Sequence, residues 1–348
     1  MKKLPEKPGR ILIRSTNWIG DAIMTTPAVR TIRQNYPDAE ITLLALPWMA
    51  DVFASCPHID HIFIYDKHGA HKGLIGKLRL VANLRQQHFD MTFLLQNAFE
   101  AALITTLAGI PVRAGYSTDG RGMLLTHGVK KHPKIGLKHQ VHYYQKMVQA
   151  LGLRLGPDSL ELFLDEQAVL DAQQRLDAAG HSVNKPIIGL NPGAAYGPAK
   201  RWPAAKYGQL AKYLAGQTEG TILVFGTDAD NEAAAEITSL AGDCVCDLTG
   251  KTSLAEALAL INRCDVFVTN DSGLMHVAAA LTTPLVAIFG STDHVATGPY
   301  SEKATIIRKP LDCSPCMKTH CPKKHFHCME NITMEEVAAA SLNVLQNQ

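Results

Sequence analysis

Several features that would place the chain in a membrane, outside the cell or on nucleic acid are missing. No apolar run reaches the ~18 residues needed to cross a bilayer. The basic N-terminus, Met1 to Arg10, has no uninterrupted apolar stretch behind it, which argues against a secretory signal and for a cytoplasmic protein. Long Lys/Arg runs are absent, and so is any nucleic-acid-binding motif, so no nucleic-acid partner is expected. No Gly-x-Gly-x-x-Gly follows the first strand of either half, which disfavours a dinucleotide dehydrogenase. There is no Gly-Lys-Ser/Thr loop either, which disfavours P-loop phosphoryl transfer.

What is present is ample apolar material: 46% of 348 residues are hydrophobic, enough for two packed domains. The net charge of +2 conceals an asymmetry. Residues 1–154 carry 20 Lys+Arg against 10 Asp+Glu, or +10; residues 155–348 carry 14 against 22, or −8. A basic half implies an anionic partner, and an anionic lipid surface or a phosphorylated glycan fits it.

Short apolar strands alternate with helical patterns in both halves. The first half offers strands at 10–14, 40–45, 61–65 and 90–95, with helices near 22–35 and 74–87. The second offers strands at 185–191, 221–226, 265–270 and 284–290, with helices at 203–215, 230–241, 254–262 and 274–281. This alternation predicts an α/β protein of two Rossmann-like, doubly wound parallel sheets, joined near 155–183. Residues 1–165 form the first domain and 180–330 the second; a last helix, about 332–348, is expected to fold back on the first. Ligands of such sheets bind beyond the carboxyl ends of the strands, so a cleft between two facing sheets is the expected active site.

Three post-strand loops of the second half carry the chemistry. After 265–270 come Asp271, Ser272, Gly273, Leu274, Met275 and His276, where small polar residues lead into a helix of little bulk. Free amides and the helix dipole there suit an anion. A plain helix cap by Asp271 or Ser272 fits the same residues. The second loop runs from Asn191 through Gly193 to Lys200 and Pro203, with Lys200 placed to neutralise a diphosphate and Arg201 a solvated charge. The third, Gly226 to Glu232, holds carboxylates suited to ribose hydroxyls or to capping a helix through Asp228 or Asp230. In the first half, Asn17-Trp18-Ile19-Gly20-Asp21 follows the opening strand, and Asp21 is a candidate general base or a helix cap.

Four of the eight cysteines, Cys313, Cys316, Cys321 and Cys328, fall within 16 residues, separated by two, four and six residues. In a cytosolic chain that density suggests a structural zinc or an iron–sulfur cluster, with free thiols or a disulfide loop as the alternative. Cys56, Cys244, Cys246 and Cys264 read as buried or partly buried thiols.

The motifs Asn17–Asp21, Asn191–Ala194 leading to Pro198–Pro203, and Asn270–Ala280 resemble the glycosyltransferase family 9 heptosyltransferases, in the same order over nearly the whole chain. The resemblance implies a GT-B fold and inverting transfer of L-glycero-D-manno-heptose from ADP-heptose to the lipopolysaccharide inner core (heptosyl-Kdo-lipid A), with no catalytic metal ion. It makes Asp21 the base in an acceptor-side loop with Asn17, Trp18 and Gly20. Lys200 becomes the diphosphate contact, and Gly193, Asp271, Ser272, Gly273, Leu274 and His276 line the donor pocket. Asp230 or Glu232 would hold the ribose. The implied acceptor is anionic and lies at the cytoplasmic face of the inner membrane, where the enzyme would be peripheral. A paralogue with another acceptor and a GT-B nucleotide-sugar epimerase are the competing enzymes, and a non-catalytic metal-binding protein is the competing class.

Overall fold

The structure is a computed structural model that describes residues 3–132 and 138–347. Met1 and Lys2 of the basic N-terminus, and Gln348 at the end of the expected last helix, lie outside the described residues. The chain divides into two units, Met1–Phe163 and Leu164–Gln348.

In the first unit the strands are β1 (Arg10–Arg14), β2 (Glu40–Ala45), β3 (His61–Ile64), β4 (Met91–Leu94), β5 (Val112–Tyr116) and β6 (His127–Val129). They lie in the order β3-β2-β1-β4-β5-β6, every neighbour parallel. Ile11, Leu12 and Ile13 of β1 and Met91 and Phe93 of β4 are wholly buried. Continuous apolar runs are what a parallel sheet covered on both faces demands. The expected helix over 22–35 is instead two, Ile19–Met24 and Thr26–Asn35. Pro27 explains the break, since it has no N–H to continue the ladder, and the Thr25 and Thr26 hydroxyls take up the carbonyls of Ala22 (2.6 Å) and Ile23 (2.9 Å).

The second unit repeats the plan with β7 (Ile187–Asn191), β8 (Thr221–Val224), β9 (Val245–Asp247), β10 (Val266–Asn270), β11 (Leu285–Phe289) and β12 (Ala304–Arg308). Their order is β12-β11-β10-β7-β8-β9, again all parallel. Counted within its own unit, each sheet has the Rossmann order 3-2-1-4-5-6. The chain reverses direction across the sheet between β1 and β4, and between β7 and β10. Those are the points where such sheets bind ligands.

Two expectations change. The segment read as a junction contains a helix, Glu166–Ala178, capped by Asp165 and packed in the second unit on helix Leu254–Asn262, with Arg175 paired to Glu256. The last helix, Met334–Gln346, does not need the first domain to bury its apolar side. Val337 and Ala338 enter the second unit's core beside Trp202, Leu210 and Ile288, and the Trp202 Nε1–H donates to the Ile332 carbonyl at 3.0 Å. No helix among the described residues is long and apolar enough to cross a membrane.

Candidate active site

At the switch point of the second sheet, the two central strands end in asparagines that latch their loops together. Asn191 donates from Nδ2 to Thr269 Oγ1 at 2.8 Å and to Ser272 Oγ at 2.7 Å. Asn270 donates to the Pro192 carbonyl at 2.7 Å, while its Oδ1 accepts from the Trp202 amide at 3.1 Å and the Tyr207 hydroxyl at 3.2 Å. These groups are buried and mutually satisfied, so both loops are held in one conformation.

On that base sits an ion pair of a buried acid and a partly buried lysine. Lys200 Nζ lies 2.6 Å from Asp271 Oδ2, with side-chain exposures of 13% and 5%. Asp271 Oδ2 also accepts from the Thr292 hydroxyl at 2.5 Å, and the Lys200 ammonium stands 4.7 Å from the centre of the Tyr196 ring. An ammonium has three N–H donors, so one carboxylate and a ring face leave it able to meet a further anion. Neither residue caps the following helix. Ser272 is the N-cap of Gly273–Ala280 by position only: its side chain makes no cap bond and is engaged by Asn191. The first-turn amides therefore remain for a ligand. Gly273 and Leu274 are half-buried beside them, and His276 is buried in the same helix.

The third loop separates the two carboxylates left open by the sequence. Asp230 is buried and committed: Oδ2 accepts from the amide and the hydroxyl of Thr227, both at 3.0 Å, and Oδ1 lies 3.4 Å from Arg201. It closes a capping box with Thr227 over the short Asp228–Asp230 turn, and by position it is the N-cap of helix Asn231–Ala241, though its side chain makes no cap bond to that helix. Arg201, expected as a solvated charge, is bridged to Asp230. Gly193 faces the same carboxylate, where a Cβ would stand 2.8 Å from Oδ2. Glu232 is exposed in the first turn of helix Asn231–Ala241.

In the first unit Asp21 lies within the first turn of helix Ile19–Met24, whose N-cap is Trp18, so it is not itself the cap. Its negative charge sits at the positive end of that helix. The phenol of Tyr144, fully buried on helix Gln140–Ala150, is pushed well above its ordinary range, first by burial and then by the charge of Asp21. Trp18 is 60% exposed, Gly20 is buried, and Asn17 accepts from Arg14 at 3.0 Å.

Two buried arginines beneath this edge carry no strong sequence signal. Arg14 ends β1 and donates to the carbonyls of Ser15 (2.7 Å) and Leu44 (3.2 Å); burial brings its guanidinium down to about 10. Arg121 donates to the carbonyls of Tyr116 (2.8 Å) and Gln96 and to Asn97 Oδ1 (2.7 Å). The only hint of Arg14 is a cation closing an apolar run.

All eight cysteines are free thiols, Cys56 and Cys264 buried and the other six half-buried. Cys313, Cys316, Cys321 and Cys328 line one small cavity of about 20 Å³. As placed, no three His, Cys, Asp or Glu side chains among the described residues are gathered closely enough to hold a metal ion.

The family model described as "Glycosyltransferase family 9 (heptosyltransferase)" matches residues 77–327. Lipopolysaccharide heptosyltransferase 2 of Salmonella typhimurium is 35% identical over 309 residues, which is 86% of this chain and 88% of that protein. Among solved structures, E. coli ADP-heptose lipopolysaccharide heptosyltransferase II is similar at a TM-score of 0.80 and 30% identity, covering 97% of this chain and 99% of that one. A glycosyltransferase family 9 protein from Veillonella parvula is similar at a TM-score of 0.90 and 25% identity over the whole of both chains.

Proposed function

The chain belongs to glycosyltransferase family 9, and from that premise we propose that it transfers heptose from ADP-heptose to a heptose-bearing, Kdo-containing inner core of lipopolysaccharide, with inversion. The observation that carries the donor side is the Lys200–Asp271 pair at the switch point of the second sheet, above uncapped helix amides. As the bond to the sugar breaks, negative charge grows on the departing ADP. Lys200 and the amides at Ser272 and Gly273 meet that charge from fixed positions, which is where electrostatic stabilisation is most effective. Asp271 keeps the ammonium aimed and is a positioning residue.

Asp21 is the general base: it takes the proton of the acceptor hydroxyl as that oxygen attacks the anomeric carbon. Asn17, Trp18 and Gly20 shape the acceptor side. Glu232 is the better ribose partner, because the oxygens of Asp230 are already committed to Thr227 and Arg201. Gly193 and Leu274 border the nucleotide, with His276 beneath it.

The acceptor is polyanionic and lipid-anchored, which matches the +10 charge of residues 1–154. On helix Gly73–Gln86, Leu74, Ile75 and Leu78 stand exposed near Lys72 and Arg79, a composition suited to a peripheral stay on an anionic membrane. The deciding experiment is transfer from ADP-heptose to defined core acceptors with and without the first heptose. Turnover only on the heptose-bearing acceptor supports the reading. Turnover only on the heptose-free core assigns a different acceptor, and an epimerised sugar from donor alone overturns transfer.

A further inference from the structure

The Cys-rich loop is built against the donor site rather than apart from it. The Ala199 amide donates to the Thr319 carbonyl at 3.0 Å, and the Tyr196 hydroxyl donates to the Met317 carbonyl at 2.9 Å. Gly197, at φ +146°, passes so close that a Cβ would stand 2.6 Å from the Thr319 oxygen. On the other side, the Met317 amide donates to the Ser291 carbonyl at 2.8 Å and the Ser314 hydroxyl to the Gly290 carbonyl at 2.6 Å. One loop thus touches both the segment that ends in Lys200 and the segment that ends in Thr292, the partner of Asp271.

This loop has no regular structure between β12 and His327 and no disulfide, yet three of its non-glycine residues, Met317, Lys324 and Phe326, hold left-handed backbone. Conformations of that kind persist only where the surroundings over-determine them. Four thiols help to line a cavity of about 20 Å³ against this loop, and about 10–15 Å³ is what a single water-sized occupant needs. A four-iron cluster is far larger. The turn that follows Cys321 is closed by the Lys324 amide, which donates to the Cys321 carbonyl at 3.1 Å. Residues 313–328 contain three lysines and no acid, which offsets the double negative charge of a divalent ion held by four thiolates.

We propose that Cys313, Cys316, Cys321 and Cys328 draw in on that cavity to hold one tetrahedral divalent metal ion, zinc, and that the loaded loop braces the Tyr196–Lys200 and Gly290–Thr292 segments for the nucleotide diphosphate. Four sulfurs at about 2.3 Å satisfy zinc without an open position, so the site is structural and takes no part in the transfer. Each thiol releases its proton to water as its sulfur binds; no electron moves.

The bracing half of the proposal rests on the donor site proposed above, and the metal half does not. Full-length protein purified without added metal should contain about one zinc per chain by elemental analysis. Cobalt(II) exchanged into it should show intense thiolate-to-metal charge transfer and tetrahedral visible bands. Metal-free protein whose four thiols all react with Ellman's reagent, a mass four hydrogens low from two disulfides, or iron with inorganic sulfide would each overturn the single-ion site. Removing the metal from the wild-type chain should weaken ADP binding, measured by calorimetry, about tenfold. Tyr196→Phe should keep the metal and lose part of that affinity, and Cys246→Ser, remote from the loop, should keep both. ADP affinity unchanged on metal removal would overturn the brace while leaving heptosyl transfer untouched.

Discussion

At the carboxyl edge of the first sheet the buried cations are Arg14 and Arg121, and both are turned inward. Their N–H groups go to backbone carbonyls and to Asn17 and Asn97, fixing the loops after β1 and β4. At the matching edge of the second sheet the cation is Lys200, partly buried and held by one carboxylate and one ring face. Strand order is the same; the use of positive charge is not. A guanidinium forks over several fixed acceptors and so makes a scaffold, whereas an ammonium tethered by one acid keeps donors for a ligand. In the proposed function the first edge contributes an acid, Asp21, and the second a cation, Lys200.

The sharpest way to break this contrast is to remove the acid. Asp21→Asn should cut kcat by roughly 10²–10⁴-fold, the range for a lost general base, while ADP affinity by calorimetry stays put. Weakened ADP binding in that variant would show that the two edges do not divide the labour. Removing the cation comes next: Lys200→Ala should lower kcat by roughly 10²–10³-fold, as for loss of one donor to a developing anion, and should weaken ADP as well. Full turnover in this variant would leave the lysine merely structural, like the arginines of the first sheet.

The third test asks whether the first-edge arginines are scaffold alone. Arg121→Met keeps length but orphans the carbonyls of Tyr116 and Gln96, and each orphaned buried acceptor costs about 1–3 kcal/mol, so stability should fall by roughly 3 kcal/mol. Thermal melts would register the loss, and ADP affinity in the still-folded protein should not move. A fall in nucleotide affinity at matched folding would contradict the scaffold role.

The contrast was half visible in the sequence. β1, β4, β7 and β10 are apolar runs with small polar or glycine-rich residues after them, so both switch points could be located. β5 has an arginine and a glycine in five residues, and β6 and β9 have only three residues each, too short and mixed to show a period of two. β12, half-exposed at a sheet edge, lacks the buried apolar run that marks the central strands. Loop chemistry named Lys200 and Asp271 separately. Their pairing across 71 positions depends on how β7 lies beside β10, which no local pattern encodes. For the same reason the Thr227 and Arg201 partners of Asp230 have no signal in the sequence around it.

The smallest expected effect tests a paired acid of the first unit that serves the scaffold. Glu161 meets Arg30 at 2.6 Å and His58 at 2.9 Å, tying the end of the first unit to helix Thr26–Asn35. Burial by itself would raise its carboxyl, but the His58 hydrogen bond and the Arg30 charge prevail and hold it below the ordinary 4.5. A carboxyl depressed in the folded state adds stability above its unfolded value and loses that share as pH falls through the folded value. Glu161→Gln should therefore reduce stability by about 2 kcal/mol at neutral pH, the scale of a hydrogen bond to a charged group. The gap between mutant and wild type should then narrow as the pH drops below 4.5. Denaturant midpoints at matched pH values measure this directly, and a gap that stays constant into acid would mean that Glu161 contributes through packing and not through its charge.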